Sequence, residues 1–70
     1  MYNELDVVVL KKTLPNSTVP VLSEGTIVMV HSVKDQAYEV EFVDENHETI
    51  DVCTVVGDEY LELKWAYKET

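Results

Sequence analysis

Residues 37–43 read AYEVEFV, and within this stretch apolar and acidic side chains alternate. The apolar set is Tyr38, Val40 and Phe42, and the acidic set is Glu39 and Glu41. Successive side chains of a β-strand point to opposite faces of the sheet, so the alternation predicts a strand with one buried and one solvated face. That pattern is typical of an antiparallel sheet that covers a core on one side.

Four further segments have the composition of β-strands. They are residues 5–10, 26–33, 48–55 and 60–64, the last being either a strand or a short helical turn. Short polar gaps at 34–36 and 44–47 indicate hairpins on both sides of residues 37–43. No stretch keeps a 3.6-residue apolar period over ten or more residues, so no substantial α-helix is predicted.

Five short strands in a chain of 70 residues can bury their apolar side chains only if the sheet closes on itself. A flat sheet would leave its apolar face exposed to water and two strand edges unpaired. A small barrel buries that face and shortens the unpaired edges. We therefore predict one all-β domain over residues 1–70, a small five-stranded antiparallel barrel of the SH3-like kind. Residues 11–24, which contain Pro15 and Pro20, are predicted to form a long loop between strands one and two.

Charge restricts the classes of partner. Fourteen carboxylates face five lysines and no arginine, which gives a net charge of −9, beyond the magnitude of about 2 to 8 that suits a small domain. Nucleic-acid binding depends on cationic side chains that displace counterions from phosphates, so no nucleic-acid partner is expected. An acidic surface attracts basic partners instead.

The sequence carries no membrane or export signal that we recognise. No apolar run approaches the 18 or more residues of a membrane helix, and the first residues, MYNE, lack a positive n-region. The single cysteine, Cys53, cannot form an internal disulfide, which fits a reducing compartment. A cytoplasmic protein without a membrane partner is expected.

Nucleophilic catalysis would require an activated thiol at Cys53. A reactive thiolate needs an electropositive pocket, and Cys53 stands among carboxylates, so a packed or half-exposed thiol is the favoured interpretation. His31 is interpreted as a residue of the barrel wall and His47 as a solvated turn residue.

Carboxylate chemistry and metal binding are equally unsupported. Acid–base work by Glu39 with Glu41, or by Asp44 with Glu45, would need a cleft that separates their pKa values, which a small filled barrel lacks. The tract DENHE at 44–48 has neither the spacing of a calcium loop nor that of a zinc motif. We predict no enzymatic activity, no cofactor and no metal site.

Several stretches together resemble a widespread bacterial family of small uncharacterised proteins, described as a domain of unknown function. They are ELDVVVL, a proline-containing loop, EGTIVMVHSV and AYEVEFVDENHETIDVCTV, and they cover residues 4–63. The resemblance implies an SH3-like barrel and no catalytic residue. It also implies similarity to proteins encoded beside toxins or acting as stand-alone interaction modules. This chain lacks a glycine that commonly precedes Gly25, since residues 19–22 read VPVL.

The acidic strand pair is the candidate partner surface. Whether Asp51 shares a face with Glu39 and Glu41 depends on a strand register that the sequence leaves open. The competing interpretation is that these carboxylates merely solvate the sheet, and that Trp65 packs as a lid over one barrel end. Tyr60, Trp65 and Tyr67 are candidate aromatic anchors. The predicted partner-binding residues are Glu39, Glu41, Asp44, Glu45, Glu48, Asp51, Tyr60 and Trp65.

These observations predict a small acidic binding protein, an immunity- or antitoxin-type inhibitor that masks a basic toxin or nuclease. The alternative is a structural or accessory module that packs on a larger enzyme through apolar residues of the loop 11–24. Those residues are Leu14, Pro15, Val19, Pro20, Val21 and Leu22. Homodimerisation through an open strand edge is left open by the sequence.

Overall fold

The computed structural model describes residues 1–67 and contains five β-strands. In chain order they are β1 (Val7–Leu10), β2 (Glu24–Ser32), β3 (Ala37–Val43), β4 (Thr49–Val56) and β5 (Leu61–Trp65). A 3-10 turn at Asp58–Tyr60 precedes β5. The all-β prediction is confirmed, and the ambiguous segment near residue 60 is a helical turn followed by a strand. The predicted domain boundary at residue 70 lies outside the described residues.

The strands form an antiparallel sheet in the order β4-β3-β2-β1-β5. Among the described residues, β4 and β5 do not pair with each other, so the sheet is open and each of them has one free edge. No helix within residues 1–67 is long and apolar enough to cross a membrane.

The core lies on one face of this sheet. The alternation in β3 separates the faces as predicted, because Tyr38, Val40 and Phe42 have no exposed surface whereas Glu39 and Glu41 lie on the other face. Burial of each such apolar side chain stabilises a fold by about 1.5 to 3 kcal/mol. The complete buried set is Val8, Leu10, Leu14, Val19, Ile27, Tyr38, Val40, Phe42, Val55 and Leu61.

Residues 11–23, which connect β1 to β2, contribute to this core. Leu14 and Val19 are buried, and the end of the segment is tied to β1 because the N–H of Leu22 donates to the carbonyl of Leu10 at 2.7 Å. Two of the six residues proposed as an apolar interface are therefore core residues. Val21 and Leu22 of that set remain exposed.

The hydroxyl of Tyr38 is buried with its hydrogen bonds made. It donates to Asp58 Oδ1 at 2.8 Å and accepts from the N–H of Tyr2 at 3.1 Å. Burial raises the pKa of Tyr38, so the phenol stays protonated and able to donate. One side chain of β3 thus holds both the first residues of the chain and the turn before β5.

Gly25 of β2 lies directly against buried side chains of β3. It pairs with Val8 on one side and with Phe42 on the other. A Cβ at this position would lie 2.7 Å from Val40 Cγ1 and 2.8 Å from Phe42 Cδ1. Both neighbours are fully buried, and at these distances at least one of them would have to shift to admit a Cβ, so this position favours glycine.

Replacement of Gly25 by alanine is expected to lower the free energy of unfolding by about 1 to 3 kcal/mol, the usual cost of overpacking a core. Urea denaturation followed by tryptophan fluorescence measures the change. Thr26→Ala, one residue further on the opposite face of β2, is the control and should have a smaller effect. Equal stability of Gly25→Ala and the wild type would contradict the close approach.

Candidate partner-binding site

Negative charge is concentrated in the part of the chain that forms β3, β4 and the turn before β5. Residues 37–60 contain eight of the fourteen carboxylates and none of the five lysines, so they account for −8 of the net −9. We call this segment the acidic hairpin. Its field extends beyond contact distance, with a screening length of about 8 Å at physiological salt.

Glu39 and Glu41 lie on the outer face of the acidic hairpin and are held by neighbouring donors. Glu39 Oε1 accepts from His31 Nε2 at 2.9 Å and from Thr54 Oγ1 at 2.8 Å. Glu41 Oε2 accepts from Thr49 Oγ1 at 2.6 Å. The hydrogen bond from His31 and then that from Thr54 lower the pKa of Glu39. The carboxylates of Glu39 and Glu41 are therefore held at fixed points on the outer face. His31, interpreted as a barrel-wall residue, faces outward with its side chain 43% exposed.

Asp51 does not share this face. It pairs with Phe42, and Glu41 pairs instead with Val52. The register shifts between Phe42 and Val43, where Ile50 is an extra residue on β4. A bulge of one residue moves the following side chain to the other face. Asp51 is thereby removed from the position opposite Glu41, where two like charges would repel each other.

The turn between β3 and β4 is built on Asp44. Its Oδ1 accepts from the N–H of Asn46 at 2.8 Å and from the N–H of Glu48 at 3.0 Å. Side chains that bond to nearby backbone N–H groups stabilise such turns, and His47 completes this turn with a positive φ of 63°. Asp44 is thus a turn-forming residue. Glu45 and Glu48 are exposed.

A groove of about 460 Å³ lies between this turn and the end of the β1–β2 connection. Its lining includes the apolar side chains of Leu22 and Ile50 together with Glu45 and His47. Among the ion pairs formed by residues 1–67, none involves Glu41, Asp44, Glu45, Glu48 or Asp51. The sequence interpretation did not place Ile50 at this site, because a bulge leaves no signal in an alternating pattern.

The three predicted aromatic anchors, Tyr60, Trp65 and Tyr67, are not among the residues that line this groove. Tyr60 is half-buried and packs against the core. Trp65 lies on β5 at the opposite end of the strand order, and it is 56% exposed, so the interpretation of Trp65 as a buried lid is wrong. Its indole contacts Tyr67 edge to face at 6.1 Å between ring centroids. The eight predicted residues therefore do not form one continuous surface.

A second cavity, of about 440 Å³, borders β4. It is lined by Leu14, Pro15, Ser17, Asp51, Cys53 and Tyr60, among others. Burial raises the pKa of the Cys53 thiol; a hydrogen bond with Ser17 opposes the rise, and Asp51 adds to it. The thiol therefore stays protonated near neutral pH, the form that is the weaker nucleophile.

Asp6 is a buried carboxylate that the sequence interpretation missed. It is 5% exposed, and its oxygens accept from the N–H of Asn3 at 2.9 Å and of Tyr67 at 3.3 Å. These bonds connect the chain before β1 with the chain after β5, which is a structural role. Within residues 1–67 there is no group of three or more histidine, cysteine, aspartate or glutamate side chains arranged to hold a metal ion.

Comparison with protein families gives one match, which covers residues 4–61 and is described as a domain of unknown function, DUF4926. The chain belongs to the DUF4926 family. This match confirms the prediction from the sequence that the chain resembles an uncharacterised family. No curated protein and no solved structure matched in the corresponding comparisons. The DUF4926 match includes the whole acidic hairpin and ends before Trp65.

The lowered pKa of Glu39 predicts an acid-dependent loss of stability. Its ordinary value is 4.5, so the stabilisation is fully present above pH 4.5 and is lost as the pH falls through the lower pKa of the folded state. The free energy of unfolding should differ most between wild type and Glu39→Gln above pH 4.5, and the two values should converge in acid. Urea titrations between pH 2.5 and 7 measure this difference.

Thr54→Val is the matched control, because it removes one of the two donors to Glu39 and leaves the carboxylate in place. It should reproduce part of the pH-dependent difference. Stability curves of wild type and Glu39→Gln that run parallel over the whole pH range would contradict the assignment.

Proposed function

We propose that this DUF4926 protein is a small acidic binding protein, a bacterial cytoplasmic inhibitor of the immunity or antitoxin type that masks a basic toxin or nuclease. The observation that carries the proposal is the composition of the acidic hairpin, with eight carboxylates and no lysine. Complementary charge accelerates association and disfavours wrong partners. The partner is accordingly a basic protein.

The groove beside the turn supplies a place for a basic side chain. Leu22 and Ile50 offer apolar contact to the aliphatic stem of a lysine or arginine, and Glu45, which also lines the groove, offers a carboxylate to its cationic head. Long cationic side chains bury their stems in this way while the charge stays near water or a counter-ion. The volume of about 460 Å³ accommodates such a side chain.

The arrangement of the carboxylates supports a role for them in binding. Like charges close together reduce the stability of the folded state, and a small domain has only about 5 to 15 kcal/mol in total. Hydrogen bonds offset part of this cost at Glu39 and Glu41. Glu45 and Glu48 have no side-chain hydrogen bond or ion pair among residues 1–67, so a cationic partner would stabilise them.

We further propose that the sheet curls into an SH3-like barrel, with residues 11–23 as its long first loop. Two observations support closure. The register of β2 against β3 shifts twice, between Ile27 and Met29 and between Val30 and Ser32, and such irregularities bend strands. Val55 of β4 and Leu61 of β5, from opposite ends of the strand order, are buried in one core.

The alternative function is an accessory module that packs on a larger enzyme through the β1–β2 connection. The exposure of Leu22, at 71%, and of Val21, at 42%, favours it. The burial of Leu14 and Val19 reduces the apolar surface that such a partner could contact. In this case Val21→Ser should weaken binding, while neutral replacements in the acidic hairpin should have little effect.

The double variant Glu45→Gln/Glu48→Gln is expected to weaken partner binding about tenfold, which corresponds to about 1.4 kcal/mol. Affinity capture from extract of the native host identifies the partner, and titration of the purified pair at 0.05, 0.15 and 0.5 M salt measures the affinity. The wild-type affinity should fall steeply as salt rises.

Glu4→Gln/Glu59→Gln is the control, because it removes the same charge from two exposed carboxylates away from the turn. It should weaken binding less than the double variant at the turn. Recovery of a neutral or acidic partner whose affinity is independent of salt would refute the proposal.

A further inference from the structure

We infer that the free edge of β4 is a docking site for an extended basic segment of the partner, which adds to the sheet as a sixth strand. This inference rests on the proposed function, since it assigns to the basic partner a particular backbone interaction. It is carried by the strand pairing of β4, by the grooves beside it and by the charge around it.

The backbone of β4 is unpaired on one side. Within the described residues, β4 pairs with β3 alone. The N–H of Gly57 donates to the carbonyl of Gln36 at 2.9 Å, which makes Gln36 and Gly57 a hydrogen-bonded pair next to the Ala37–Val56 pair. Antiparallel ladders alternate between bonded and non-bonded pairs.

This alternation leaves the N–H and C=O groups of three residues directed to the free edge. The three are Val52, Thr54 and Val56. The N–H of Val52 donates to the neighbouring side-chain oxygen Asp51 Oδ1 at 2.9 Å, a bond that an added strand would replace. An unpaired edge of this kind is a template for an added strand, and main-chain hydrogen bonds supply much of the affinity when a peptide pairs there.

Side chains of an added strand would alternate between the two faces of the sheet. The second cavity, of about 440 Å³, borders β4, and its lining combines Asp51 with the apolar side chains of Leu14, Pro15 and Tyr60, which offer contact to an apolar side chain. On the outer side lie Glu39 and Glu41 with the exposed Val52. The edge thus favours a segment in which apolar and basic residues alternate.

Charge decides between the possible occupants. A second copy of this chain would bring another segment of net −8 against the first, and like charges across an interface cost several kcal/mol. A basic segment would be attracted by the same charge. Glu39 and Glu41, on the outer face beside β4, are the carboxylates available to its cationic side chains.

The test uses an acetylated and amidated decapeptide of alternating lysine and valine, with alternating glutamate and valine as its charge control. At 50 mM salt the lysine peptide should bind, and it should slow amide hydrogen exchange of Val52, Thr54 and Val56 at least tenfold, as read by NMR. The glutamate peptide should produce no change.

Two substitutions at one position isolate the backbone contribution. Thr54→Pro removes an N–H that faces the free edge, and proline is tolerated at edge strands. Thr54→Val keeps that N–H, and both variants lose the hydroxyl bond to Glu39. Thr54→Pro should bind the lysine peptide at least tenfold more weakly than Thr54→Val, with both folded by circular dichroism. If Thr54→Pro does not fold, the hydrogen-exchange result on the wild type decides.

Several outcomes would overturn the inference. Binding of the lysine peptide without protection of the three amides would do so, as would equal affinity of the two variants or no binding at 1 mM peptide. In each of these cases the proposed function would still hold if a basic partner were captured from extract and its binding depended on Glu45 and Glu48. Protection of the same amides without peptide, together with a dimer in sedimentation, would assign the edge to a second copy instead.

Discussion

Burial of Tyr38, Val40 and Phe42 on the core face of β3 is the constraint on which the rest of this structure depends. These three side chains have no exposed surface, and the missing side chain of Gly25 lets β2 approach them. Because the period of a strand is two, their burial places the intervening glutamates on the outer face. The acidic surface and the core are therefore consequences of one alternation.

In the acidic hairpin, which contains no lysine, hydrogen bonds and strand register reduce the repulsion between like charges. Donors from His31, Thr49 and Thr54 bond to the two glutamates of β3, and the bulge at Ile50 turns Asp51 to the other face. Asp44 is occupied by N–H groups of its own turn. Within residues 1–67, Glu45 and Glu48 are left without such contacts, and they are near the turn, where a groove with apolar lining residues also lies.

Much of the fold could be predicted from the sequence, and less of the site. The alternation in residues 37–43 predicted the buried and solvated faces correctly, and the strands lie close to their predicted positions. The face of Asp51 could not be predicted, because one extra residue in β4 reverses it and alternating composition does not mark a bulge. Leu14 and Val19 were assigned to an interface because a proline-containing connection predicts exposure, whereas its folding back over the sheet buries them.

By itself, the sequence determined that this protein is all-β, that it belongs with an uncharacterised family and that its charge is strongly negative, since these follow from periodicity, motif order and composition. The tertiary structure decided which carboxylates share a face, which side chains line the grooves and which strand edge is free. Those features depend on register and strand order, which arise from contacts between residues distant in the chain. A local pattern does not specify such contacts, because a shift of one residue changes the face of every side chain that follows.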